Sequence, residues 1–393
     1  MLNKFKKVDW SIVFIVFILG ILSIVLIHSG VAAWPKFKGY DTRMIFFYIA
    51  GFIAFFGMML IDFRILTKYF MYLFGAGMIL MVIVILKGET VNGAQGWLNL
   101  GPLSIQPAEL FKLVLIITLA ALLRRKYRMS LSFWKDVVPL GLVTLIPFGM
   151  AMVQNDIGNG LSYLVILLGM LWIGKMKYSH ALIILVITAV AVVGGIKAYI
   201  TFHDEIATTL KSTNKQHWLD RIDPWLMPEE ASQKSAYHTK NASVAIAAGG
   251  MFGRGYMQGP YVQSMRVPYT YSDSIFVVVA EEFGFFGCSV LLLLYFILIH
   301  RLILISLECR DRTGPLLIVG IVSMWLYQIF ENVGMFMGLM PLTGITLPFI
   351  SYGGTSLLIN MASLGLAMSV RIHGHEVDDD IPQTTRASLN RST

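Results

Sequence analysis

The sequence predicts an all-α polytopic membrane protein with about ten transmembrane helices, both termini cytoplasmic, and a large extracellular loop between helices 7 and 8. Three observations carry this. Apolar residues make up 56% of the 393 positions and charged residues 14%, with a mean hydropathy of +0.70, too apolar for a soluble enzyme of this length. The apolar residues are gathered into runs near the ~17–25 residues that one helical crossing needs. The basic residues between those runs are alternately dense and sparse, which is how a chain encodes its orientation in a bilayer.

The runs place helices near 9–30, 43–62, 68–87, 107–124, 136–154, 159–175, 179–201, 273–300, 314–338 and 350–371. The fifth and sixth are short and separated only by Gln154 to Gly160, so they also fit one kinked pair with a tight polar turn. Lys4, Lys6, Lys7, Arg64, Lys68, Arg124, Arg125, Lys126, Arg128, Lys135, Lys175, Lys177, Arg301, Arg310, Arg312, Arg371, Arg386 and Arg391 fall on one side of this topology. Lys36, Lys38, Arg43 and Lys87 fall on the other, so the termini are cytoplasmic and residues 31–42, 88–106, 155–158, 202–272 and 339–349 lie outside. The excess of 31 basic over 23 acidic residues therefore reads as orientation, with no nucleic-acid partner expected.

The first run, Val8 to Ile27, follows lysines and precedes Val31-Ala32-Ala33, which superficially resembles a signal-peptidase site. It exceeds the roughly 7–15 residues of a cleaved signal core, so a retained first helix is expected. Cys288 and Cys309 sit at different depths, and neither a disulfide nor a metal site is expected from them. Residues 1–372 read as a single transmembrane domain that includes the 202–272 loop, and 373–393, with Asp378-Asp379-Asp380, as a disordered cytoplasmic tail. Within the long loop, His203, Asp204, Glu205, Trp218, Asp220, Arg221, Asp223 and Trp225 precede a glycine-punctuated run from Ala245 to Gly255, a pattern that predicts partial order.

Chemistry is sought first at Pro268 to Gly287, where a polar segment enters an apolar helix carrying Asp273, Glu281 and Glu282. An intramembrane charge costs roughly 2.5–3.5 kcal/mol on insertion scales, so such acids face a bundle interior or a wet cavity. Asp273, between Ser272 and Ser274, equally fits a helix N-cap, which needs no catalytic role. Four further motifs lie on the outer side. Asn92 to Gly101 is followed by Gln106-Pro107-Ala108-Glu109 and Lys112, where Glu109 and Lys112 can pair on one helix face. The Gln154 to Gly160 turn carries Asp156 and reads as an Asn/Asp/Gly turn. The long loop carries Lys240, Arg254 and Arg266, scattered cations of the kind that are usually solvated. Met340 to Ser356 holds two prolines and three glycines between two helices, which predicts a segment dipping back into the bundle or a rigid turn.

The chain resembles the SEDS family (shape, elongation, division and sporulation), the RodA/FtsW/SpoVE-like membrane proteins of bacteria, over nearly its whole length. The resemblance rests on Gly93-Ala94 with Trp97 and Leu100-Gly101; Gln106 to Glu109 with Lys112; Gln154, Asp156 and Gly158; Gly249-Gly250, Gly253 and Gly255; Ser272-Asp273, Ile275-Phe276, Ala280-Glu281-Glu282 and Gly284; and Met340-Pro341 through Ser351-Tyr352-Gly353-Gly354. It departs from the family pattern at Gly96, where Arg is frequent, at Ala108 (Ser), at Asn155 (Pro), and in the loop at Ala236-Tyr237-His238 and Asn241-Ala242.

The resemblance implies a multi-pass protein of the bacterial cytoplasmic membrane that polymerises lipid II into glycan strands. Its implied partner is a class B penicillin-binding protein that supplies the transpeptidase. The catalytic aspartate falls on Asp273, which can act as base for the acceptor hydroxyl. Lys112 first, then Arg254, Arg266 or a bound divalent cation such as magnesium or manganese, is expected to balance the departing pyrophosphate. Glu109, Trp97, Gln106, Asp156, Ser351 and Tyr352 complete the expected substrate contacts. Glu281, Glu282, Gly353 and Gly354 are expected to be structural. The short N-terminus and the Asp62-Phe63-Arg64 helix end look most like the elongation, RodA-like branch, which serves cell shape. A lipid II flippase and a non-catalytic scaffold for a cell-wall synthase remain as alternatives; the crowding of polar motifs on one side weighs against a transporter.

Overall fold

The computed structural model describes residues 6–91, 94–100, 103–124, 130–213 and 215–374. Lys4, Gly93, Gly101, Arg125, Lys126, Arg128, Arg386, Arg391 and the tail from 375 onward lie outside the described residues.

Helices α1 (Trp10–Ala32) and α2 (Tyr40–Leu60) are followed by a short α3 (Phe63–Lys68) and by α4 (Phe70–Lys87). A small antiparallel sheet in the order β1 (Glu89–Val91), β2 (Ala94–Leu100), β3 (Leu103–Ile105) fills the outer segment that the all-α reading left without structure. Then come α5 (Pro107–Arg124), α6 (Val138–Val153), α7 (Ile157–Ile173) and α8 (Tyr178–Thr201). The long loop is ordered into α9 (His203–Ser212), α10 (His217–Leu226), α11 (Gln233–Gly249) and α12 (Pro260–Gln263). The chain closes with α13 (Ile275–Glu308), α14 (Thr313–Phe336) and α15 (Gly354–His373).

Among the described residues, eight helices are long and apolar enough to cross a membrane. The remaining two expected spans are occupied by α5, which carries Glu109, Lys112 and Arg124, and by α7, which has 17 residues. The helix starts follow capping chemistry: Asp9, Asp62 and Asp156 each accept a hydrogen bond from a backbone N–H one or two residues into α1, α3 and α7. Val153 and Ile157 therefore end and begin separate helices, with Asn155 between them at φ 58.

The core centres on α15, which packs along α2 and is buried along most of its length. No residue of α8 is fully buried, and most of its side chains are exposed, with Ile184 packing against the core. At the end carrying both described termini, Asp9 pairs with Arg301 (2.9 Å) and Arg371 (2.8 Å), and Arg64 with Asp311 (3.2 Å).

Helix α13 runs to Glu308, further than the sequence predicts, and is broken at Gly284, whose φ of 64 interrupts the helical path. The break leaves carbonyls without intrahelical donors, and the glycine run of the long loop supplies them. Arg254 and Gly255 donate their backbone N–H groups to the carbonyls of Glu281 (2.9 Å) and Glu282 (3.0 Å), while Phe285 and Phe286 donate to Gly250 and Met251. At Gly253, with φ 81, a Cβ would stand 2.1 Å from the Glu282 carbonyl oxygen, so only glycine permits this contact.

Candidate active site

The segment between α14 and α15 folds back among the helices. Leu347, Phe349 and Ile350 are almost fully buried, and a non-helical backbone at that depth must have its polar groups satisfied by protein. Three side chains from three helices do this: Ser23 donates to the Ile350 carbonyl (2.7 Å), Tyr48 to that of Phe349, and Tyr295 to that of Pro348.

The folded-back segment clamps the residues that enter α13. Ser351 Oγ accepts from Leu347 N (2.8 Å) and donates to the Ser272 carbonyl (2.8 Å), and Tyr352 N donates to the Tyr271 carbonyl (2.8 Å). From α14, Asn332 Nδ2 donates to the carbonyls of both Asp273 (2.9 Å) and Ile345 (2.7 Å). The backbone of Asp273 is thus fixed from two sides. Its side chain does not cap α13: the cap position is Ser274, and no side-chain cap bond forms. The carboxylate instead lines a cavity of about 870 Å³.

One wall of that cavity is apolar, built from Phe46 and Phe47 of α2 and Leu358 of α15, and Phe46 is 65% exposed on the outer surface of the bundle. Polar lining comes from Gln106, Glu109, Asp156 and Asn159, beside Trp97. Two cations reach the cavity, Arg43 and Arg221. Arg221 on α10 is held by donation from Nη1 to the Asn155 carbonyl (3.0 Å), beside which Trp218 donates to Asn155 Oδ1 (3.1 Å). Asp156 is saturated by Gln106 Nε2 (2.8 Å) and by the Asn159 side chain (2.9 Å) and backbone (3.2 Å). Asp273 lies deep among protein atoms, and this burial pushes its carboxyl up to about 7, against the smaller opposing pull of the Ser272 hydroxyl and the Arg221 charge.

Of the residues expected from the sequence, Asp273, Trp97, Gln106, Glu109, Asp156, Tyr352, Gly353 and Gly354 all line this cavity. Four do not. Lys112 is fully buried and paired with Glu109 at 2.8 Å inside the bundle, one turn further along the same face of α5. Arg254 is engaged by its backbone at the α13 break. Arg266 lies over the Tyr261 ring, 5.5 Å from its centre. Ser351 acts on the backbone of Ser272 and Leu347 behind the cavity wall. Glu281 accepts from the backbone N–H groups of Tyr261 (2.8 Å) and Val262 (2.9 Å), and Glu282 from Ser29 (2.5 Å) and Gln263 (3.2 Å), so both fasten the outer loop to the bundle.

The sequence reading missed Arg221 and Arg43 as the cavity's cations and Asn332 as the clamp. Arg43 carried one readable signal, as a cation on the side of the topology where basic residues are sparse.

A family model described as "Cell cycle protein", covering FtsW, RodA and SpoVE, matches residues 9–376. The chain belongs to the FtsW/RodA/SpoVE family. It is 30% identical to the Stage V sporulation protein E of Bacillus subtilis strain 168, covering 94% of this chain and 98% of that one. It is also 30% identical to the peptidoglycan glycosyltransferase MrdB of Escherichia coli strain K12, covering 94% and 97%. A chain from a solved peptidoglycan synthase complex, in which polymerization and crosslinking are coordinated, superposes with a TM-score of 0.76 at 28% identity, covering 94% of this chain and 99% of that one. For an FtsW/RodA/SpoVE protein, the outer cavity joins the family's most distant motifs: β2, the α6–α7 turn, the entrance to α13 and the folded-back segment all meet there.

Proposed function

We propose that this chain is an inverting glycosyltransferase that polymerises lipid II into glycan strands at the outer face of the cytoplasmic membrane. The observation that carries the reading is the opening of Asp273 into a cavity lined both by the cations Arg43 and Arg221 and by apolar side chains of α2 and α15. Such a cavity suits a substrate that is lipid at one end, anionic in the middle and sugar at the other.

In the proposed reaction the acceptor's 4-hydroxyl oxygen bonds to the anomeric carbon of the donor as the bond from that carbon to the pyrophosphate breaks. The hydroxyl proton passes to Asp273, and the lipid pyrophosphate leaves with the electron pair. A carboxyl raised to about 7 is a stronger base than an ordinary aspartate while still ionised near neutral pH. Arg221 and Arg43 take the place at the leaving group that Lys112 was expected to fill, since fixed cations in a water-poor site stabilise developing negative charge. A divalent cation is the other candidate for that task. Among the described residues no group of three His, Cys, Asp or Glu side chains is arranged to hold one.

A class B penicillin-binding protein is the partner we propose, in keeping with the synthase complex to which the chain is similar. Within the family we favour the elongation branch on the Asp62-Phe63-Arg64 helix end, where Asp62 caps α3 and Arg64 bridges to Asp311. The deciding experiment is polymerisation of lipid II by the purified chain, with and without its transpeptidase. Asp273→Asn should abolish it in a protein that remains folded, and full activity in that variant would sink the assignment.

A further inference from the structure

A second cavity, of about 440 Å³, lies on the other side of Asp273. It shares Asp273, Arg221, Tyr269 and Gly344 with the first, so these residues form a partition with a cavity on each face. The two cavities differ in chemistry. The first reaches the outward-facing phenylalanine of α2 and has a long apolar wall. The second lies under the long outer loop, roofed by His217, Lys234 and His238, with Tyr269 and Phe336 supplying aromatic surface. It has no wall on α2 or α15 and so no route for a lipid tail.

We infer that this second cavity is a saccharide subsite, which binds a pyranose unit and presents it to Asp273 from the side opposite the lipid-linked pyrophosphate. The inference rests on the polymerase reading above and adds to it where the sugar sits. A pyranose ring has apolar C–H faces and a polar rim, so it is recognised by aromatic surface together with side chains that both donate and accept hydrogen bonds. The cavity offers that combination. Phe336 and the His238 ring lie 5.5 Å apart, centre to centre. His238 Nε2 bonds to Ser274 Oγ (3.2 Å), and burial pulls this imidazole down to about 4, so at neutral pH it is an uncharged group with one donor and one acceptor. Among the described residues, His217 Nε2 is buried with no hydrogen-bond partner, and an unmet polar group of that kind is costly unless a ligand or water satisfies it. Charges at the cavity are mixed, Asp220 with Lys234 and Arg221, which suits a neutral sugar better than a second pyrophosphate.

Two sugars share this chemistry: the terminal unit of the acceptor, and the strand leaving the site. The test therefore has two arms on the full chain in detergent. In the first, binding of a lipid-free N-acetylglucosamine tetramer is followed by saturation-transfer NMR. Binding should be present in both the unaltered chain and Asp273→Asn, and should weaken about fivefold in His238→Ala, the effect of one lost hydrogen bond. It should be blocked by Lys234→Trp, which fills the mouth from an exposed position and leaves the core alone. Absent binding, or binding indifferent to both changes, overturns the subsite. In the second arm, lipid II KM and product length are measured for His238→Ala. A raised KM with unchanged strand length assigns the subsite to the acceptor, shorter strands at unchanged KM assign it to the outgoing strand, and no change in either overturns it. Failure of the polymerase reading is distinct: it appears as retained polymerisation in Asp273→Asn, which the tetramer measurement does not depend on.

Discussion

Asp273 and the pair Glu281–Glu282 belong to one short stretch of chain, and the sequence marks all three as acids that need a reason. The structure treats them oppositely. Both oxygens of Glu281 are occupied by backbone N–H groups of α12, and Glu282 is taken by Ser29 and Gln263. At Asp273 it is the backbone carbonyl that is clamped, by Asn332, while the carboxylate is left facing a cavity with Arg221. A buried acid whose carboxylate ties one element to another is part of the framework. One whose backbone is fixed and whose carboxylate is left open is available for chemistry, and its environment has already made it more basic.

The comparison is broken most sharply by exchanging each acid for its amide. Asp273→Asn should lower the rate of lipid II polymerisation by about 10²–10⁴-fold, the range for loss of a general base, with thermal stability preserved or raised. The sign follows from the direction of the shift: a carboxyl pushed up by burial penalises the folded state increasingly as pH rises from the unfolded value through about 7, and the amide removes that penalty. A variant that loses activity together with its fold would instead place Asp273 with the framework acids.

Next in size is Arg221→Ala, which should cost about 10²–10³-fold in polymerisation, as removal of one charge-stabilising group does elsewhere. Lys112→Met provides the contrast, since Lys112 is sealed against Glu109. Its loss leaves a buried carboxylate unpaired and should lower stability by about 3–5 kcal/mol, read as a lower thermal midpoint. A pH profile gives the third measurement. The rate should climb as pH rises through about 7, nearly tenfold per unit on the acid side where only the ionised fraction works, and a limb centred near 4 would count against Asp273 as the base. Smallest is Glu281→Gln, which should cost about 1–3 kcal/mol of stability from a weakened buried acceptor while the rate per folded molecule stays within a few-fold.

Much of this architecture was legible beforehand. Apolar runs set the spans. The folding-back of residues 340–356 was readable from its prolines and glycines, and the α6–α7 turn from Asn155 and Asp156. What the turn does was not readable. Asn155 at φ 58 adopts an angle proline cannot reach, and its carbonyl and side chain seat Arg221 and Trp218, so a departure from the family pattern is the very residue that places a cavity cation. The sheet at 89–105 was also missed, being too short for alternation to stand out.

The sequence by itself determined the order of the apolar runs, the side on which the polar motifs collect, and one stretch where acids enter the bundle. These depend on local hydrophobicity and on charge counted loop by loop, and both are written in linear order. Only the tertiary structure decided which charges meet. Arg43, Arg221 and Asp273 line one cavity, whereas Lys112, which sequence position favoured, is neutralised within its own helix. The reason is geometric: a neighbour on the same helix face is fixed by a spacing of three residues, but a neighbour across the cavity is fixed by how α10, the α6–α7 turn, α14 and the folded-back segment pack together.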